Sequence, residues 1–140
     1  MNWKADIVRV VTGIEELASA QDEAAIRESE RRKVFNEQRD HALFVLRNGA
    51  NEFCREARVT GIDAFVKTEE DGFSVTANIR NASVKLFVLG RASSQDWHVF
   101  YTASIKPQAG RKIDLPATFI QVFDEVTIPE LMTKLLDKTL

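Results

Sequence analysis

Residues 49–79 read GANEFCREARVTGIDAFVKTEEDGFSVTANI, and the period of their apolar positions changes partway along. Up to Arg58, the residues Ala50, Phe53, Cys54 and Ala57 recur three and four apart, the spacing of one helix face. Beyond Ile62 the apolar positions alternate. Ile62, Ala64 and Val66 lead into the turn Thr68-Glu-Glu-Asp-Gly72, and Phe73, Val75, Ala77 and Ile79 follow it. That is the two-residue period of half-buried strands joined by a hairpin. A helix ending near residue 58 and strands after it make the fold class α+β.

Towards the N-terminus the helical face extends back through Gly49, Leu46, Leu43, Ala42 and Phe35. A second stripe, Val34, His41, Phe44 and Val45, lies partly off that face. A helix apolar on more than one side is deeply buried or shared with a partner. Residues 19–33 are nearly all polar, with Glu23/Arg27 and Glu28/Arg32 at the favourable i,i+4 spacing of a solvated helix. Ser19 followed by Asp22 resembles a capping box, so a long N-terminal helix and a helix pair broken near Ser19–Asp22 both remain open. Trp3, Ile7, Val10, Val11, Ile14, Leu17 and Ala18 form another face of 3.6-residue period. The β-branched run from Ile7 to Thr12 would also suit an edge strand, but the face continues through Leu17 and favours helix.

Towards the C-terminus, Arg80-Asn-Ala82 turns into Val84–Leu89, apolar on both faces as in a central strand. A loop is expected over Gly90–Asp96, an alternating strand over Trp97–Ile105 and a turn at Pro107–Gly110. Residues 113–126 hold a fifth strand, or two short pieces split by Pro116. Thr127, Pro129 and Glu130 start a helix with Thr127 as N-cap, and Leu131, Met132, Leu135, Leu136 and Leu140 give it an apolar side. The expected organisation is one α+β domain over 1–140. It comprises a helical part (1–58) whose polar middle suits a projecting arm, an antiparallel meander of four to six strands (59–126) and a short C-terminal helix (127–140).

Composition excludes several function classes. The 140 residues are 44% hydrophobic and 29% charged, an ordinary globular balance. Nineteen Lys and Arg against 21 Asp and Glu leave a net charge of −2, which gives no long-range basic field for nucleic acid or an anionic membrane. The longest apolar run, Ala42–Leu46, is far short of the ~20 residues that span a bilayer. The acidic, non-apolar start Met1–Asp6 and one unpaired thiol point to a cytoplasmic protein. No G-x-S-x-G, H-E-x-x-H, C-x-x-C or phosphate-cradling glycine loop occurs.

The remaining candidates for chemistry each have a plainer explanation. His98, among Trp97, Val99, Phe100 and Tyr101, would be a general base in an aromatic pocket, yet no acid partner is fixed by spacing and alternation puts Trp97 and Tyr101 on the other face. Glu37 and His41 stand i,i+4, but two ligands are too few for a metal site. Cys54 turns inward on an apolar face, where a cysteine behaves as a small hydrophobe. Arg27, Arg31, Arg32 and Lys33 are the one basic cluster, interleaved with Glu23, Glu28, Glu30 and Glu37, which cancel most of its field.

Three functional expectations follow. The first is a non-enzymatic protein–protein interaction module (adaptor, inhibitor or chaperone-like) that binds another protein, including a second copy of itself as a homodimer, through Ile7, Val11, Ile14, Val34, His41, Phe44 and Val45, without a cofactor or metal. The second rests on layout, since a helix followed by a meander resembles the cystatin-like and nuclear-transport-factor-like cones. It places a ligand-binding or catalytic pocket between helix and sheet at Phe87, His98, Phe100 and Tyr101, with Phe65 nearby. The third is weak nucleic-acid binding through Arg27, Arg31, Arg32 and Lys33.

Overall fold

A computed structural model describes residues 2–140 and shows the α+β architecture of a long helix, a five-stranded antiparallel sheet and a short helix. The first helix, α1, runs unbroken from Trp3 to Val59. At 1.5 Å per residue its 57 residues extend about 86 Å. Asn2 opens it, its side chain accepting the Ala5 N–H at 3.4 Å. Neither a break at Ser19–Asp22 nor an edge strand at residues 7–12 forms. Residues 19–33 contain no glycine or proline, and their i,i+4 ion pairs, Arg27–Glu23 at 3.8 Å and Arg32–Glu28 at 3.6 Å, carry the helix across the polar stretch.

The strands are β1 (Asp63–Glu69), β2 (Gly72–Ile79), β3 (Ala82–Ala92), β4 (Trp97–Lys106) and β5 (Ile113–Ile120), in sheet order β1-β2-β3-β4-β5. Two-residue loops, Glu70-Asp71 and Arg80-Asn81, close the first two hairpins, with Asp71 (φ 63°) and Arg80 (φ 52°) in the left-handed region. The expected loop at Gly90 is instead strand. Gly90 pairs with Val99 inside β3, and a Cβ there would meet the side chains of Arg39 and Leu43, so its smallness admits α1 rather than making a turn. β5 is one strand, irregular opposite the Tyr101–Ala103 step. Pro116 is tolerated there because β5 is the sheet edge.

One face of the sheet is covered. Val75, Leu86, Val88, Val99 and Ile105 pack against Ala42, Leu46, Ala50, Cys54 and Ala57 of α1 and against Ile128, Met132 and Leu135 of the second helix, α2 (Thr127–Asp137). The start of α2 differs from the expected Thr127 N-cap. Asp124 accepts the N–H groups of Val126 and Thr127 at 3.0 Å each, and the Thr127 hydroxyl donates to Asp124 and to the Val122 carbonyl. Thr127 is thus the first residue inside the helix, its own N–H and hydroxyl engaged by the Asp124 carboxylate, and its side chain is not free to cap the amides that follow.

Polar clamps fix only the second half of α1. Trp97 Nε1 donates to Gln38 Oε1 at 2.7 Å, Arg47 to the Thr68 hydroxyl at 2.8 Å, and Arg58 Nε to the Ala64 carbonyl at 2.8 Å. Gly49 brings the segment before α2 into backbone contact, because a Cβ there would collide with the Glu125 carbonyl. Substituting Gly49→Ala is therefore expected to cost roughly 2–3 kcal/mol in urea denaturation. Gly90→Ala, which meets the Arg39 and Leu43 side chains rather than backbone, should cost less, about 1 kcal/mol.

Candidate interaction surfaces

From Asn2 to Val34 every residue of the helix is exposed except Gly13, which is half-covered. This arm is about 48 Å long at 1.5 Å per residue. Trp3, Ile7, Val10, Val11, Ile14 and Leu17 lie along one side, with Val8 and Ile26 exposed off that stripe, and nothing from the rest of the chain lies against them. The residues expected to form one interface divide among three places. Ile7, Val11 and Ile14 belong to this arm stripe. Val34, His41 and Val45 line a cleft of about 520 Å³ at the base of the arm, closed on its far side by Trp97 and Phe123. Phe44 is 62% exposed on the opposite flank of α1, beside Arg47 and Asp71.

The cleft owes its shape to residues that periodicity in α1 alone does not reveal. Trp97, at the start of β4, stacks at a tilt on Phe123 with centroids 5.3 Å apart, and its indole N–H is held by Gln38. Strand alternation does place Trp97 on the helix side. Phe123 lies past the end of β5, where no pattern points to it.

The four residues expected in a pocket between helix and sheet do not share one. Register pairs Leu89 with Phe100 and Phe100 with Phe119, a row on the face that no helix covers. His98 meets Phe119 edge-on with centroids at 5.3 Å and lies 6.0 Å from Phe100. Arg91 sits 5.3 Å over Phe100, and Lys85 sits 4.9 Å over Phe87. Phe87, His98 and Phe100 thus stand on the open face, as does Phe65 through its pairing with Thr76 and Lys85, while Tyr101 turns to the helix side. Phe119, 64% exposed on the edge strand, completes this aromatic row and escaped the sequence pattern because β5 alternates weakly.

Arg27, Arg31, Arg32 and Lys33 are all exposed on α1 but form no single basic stripe. Successive residues 31, 32 and 33 fan out at about 100° steps, and Arg27 and Arg32 are engaged by Glu23 and Glu28. Glu37 and His41 do share the cleft wall. Among the described residues no three His, Cys, Asp or Glu side chains converge to hold a metal ion, and no helix is long and apolar enough to cross a membrane.

No protein-family model, curated protein or solved structure matches this chain.

Cys54 is 1% exposed, and burial pushes its thiol up despite the opposing pull of the Arg58 guanidinium. The fold thus favours the neutral thiol. Stability from this preference is full below the unfolded value of about 8.5 and is lost as pH rises through the higher folded value. A Cys54→Ala variant should lose less stability than wild type between pH 8 and about 10 in denaturation series, and wild-type Cys54 should react with a thiol reagent only as the protein unfolds.

Proposed function

We propose that this protein is a non-enzymatic interaction module that associates with a second copy of itself through the N-terminal arm of α1. The observation that carries this reading is the exposure of the arm stripe, with Ile7 at 52%, Ile14 at 60% and Leu17 at 66%. Isolated exposed apolar residues are ordinary, but a contiguous row of them along one side of a helix marks a contact surface.

Helix energetics support the same reading. The segment Ile7-Val-Arg-Val-Val-Thr-Gly13 concentrates β-branched residues and a glycine, each roughly 0.5–1 kcal/mol poorer than alanine in a helix. Most helical stability in proteins comes from packing an apolar face, and this arm packs on nothing in its own chain. A partner helix supplies that packing. The chemistry-bearing side chains are also dispersed: Cys54 lies in the core, His41 at the cleft and His98 on the open sheet face.

Light scattering after gel filtration should give a multiple of 15.8 kDa. Ile14→Glu removes an apolar contact from each copy and buries a charge in its place, so association should weaken by at least about a hundredfold. Far-ultraviolet dichroism should then show helix lost from the arm while the sheet remains. A wild-type mass of 15.8 kDa at all concentrations overturns the reading.

A further inference from the structure

We infer that two copies pair their arms antiparallel, with the dyad near Thr12, so that the two α/β bodies sit at opposite ends of a two-stranded coil. The inference rests on the self-association proposed above and adds the orientation and register of the pair.

Trp3, Ile7, Val10, Ile14, Leu17 and Gln21 follow one another at alternating spacings of four and three, the seam of a two-stranded coil. The isoleucines taken alone would suit a parallel pair equally well. The bodies decide against it. Counted at 3.6 residues per turn, the arm stripe and the face of α1 that buries Ala42, Leu46 and Ala50 lie on the same side of the helix to within about a quarter turn. Each body therefore occupies the side along which a parallel partner would have to continue, and the two bodies would collide.

An antiparallel partner avoids this. With Ile7 opposite the second copy's Leu17, and Val10 opposite its Ile14, every central layer is apolar on apolar. Trp3 then lies level with Gln21, whose amide can take the indole N–H. The partner's helix ends about 20 Å before Phe35, where packing on the body begins.

Charge selects the same orientation. Within the stretch that pairs, the half before Thr12 carries Lys4, Asp6 and Arg9, and the half after it, as far as residue 23, carries Glu15, Glu16, Asp22 and Glu23 with no cation. Parallel pairing sets acidic half beside acidic half. Antiparallel pairing lays the half with the cations along the acidic one and opposes the two helix dipoles. Covering the exposed apolar stripe on both arms would bury on the order of 1,200 Å², at the lower end of what a stable specific interface needs.

The variants Val10→Cys and Ile14→Cys, each adding one exposed thiol to the buried Cys54, test the register by oxidative cross-linking, with wild type as the blank. The expected result is a dimer by light scattering and a covalent dimer from an equimolar mixture of the two variants, several-fold above either variant alone. Small-angle scattering of the wild type should show a longest dimension of about 140 Å, against about 90 Å for side-by-side bodies. A dimer in which each variant cross-links by itself, one in which no combination cross-links, one near 90 Å, or an assembly larger than two overturns the antiparallel pairing and leaves self-association standing. A monomeric wild type overturns both.

Discussion

The second half of α1 can lie on the sheet only because its facing side chains are small. Ala42, Ala50, Cys54 and Ala57 surround one large residue, Leu46, and are opposed by Phe73, Val75, Leu86 and Val88. Larger residues on the helix would lift it, open voids over the strands and pull the Trp97, Arg47 and Arg58 hydrogen bonds apart. Gly90 and Gly49 extend the same economy of volume to two close approaches of α1, to β3 and to the chain before α2. The position of α2, the cleft and the direction of the arm all follow from this one close contact.

An unbroken helix turns that contact into an orientation for the arm. Nothing between Val34 and Phe35 marks the boundary except the loss of neighbours, so the first 32 residues of α1 inherit the axis set by the remainder. In such a helix any surface on the arm stands at a fixed angle to the body. The polar stretch 19–33 then does more than stay solvated. After Gln21 and Ala24, the four-three spacing of the arm falls on Glu28 and Arg31, and these charges keep the apolar row from reaching the sheet. A seam continuing uninterrupted to Phe35 would compete with the sheet for the same helix side, and charge at those positions removes the competitor.

The fold class was legible because both periods are long and clean. The strands of the meander alternate over most of their length, and α1 shows its face from Phe35 to Ala57. Failures came where one residue type serves two purposes. Gly90 signalled a turn because glycine favours turns, yet its role in β3 is to leave space, a tertiary fact with no local mark. Thr127 had the features of an N-cap, but it lies inside the helix, with its own N–H and hydroxyl both held by Asp124. The surfaces were half legible. Alternation assigned His98 and Tyr101 to opposite faces, which already separated the members of the supposed pocket, whereas Phe119 and Phe123 lie on and just beyond an edge strand too exposed to alternate.

The two sheet faces differ in a way that bears on what the body is for. The covered face is uniformly aliphatic apart from Phe73, Trp97 and Tyr101, while the open face gathers Phe87, Phe100, Phe119 and His98 with Lys85 and Arg91 laid over two of the rings. Cations over aromatic rings keep an uncovered sheet face soluble without giving up its strand propensity, since the rings fill the pleated surface and the charges remain in water. The arm has no such protection: Lys4 lies near the Trp3 ring, but no cation covers Ile7, Val10, Ile14 or Leu17. One exposed apolar surface is thus shielded by its own charges and the other is left bare. That difference is the reason the self-association proposed above is assigned to the arm rather than to the sheet.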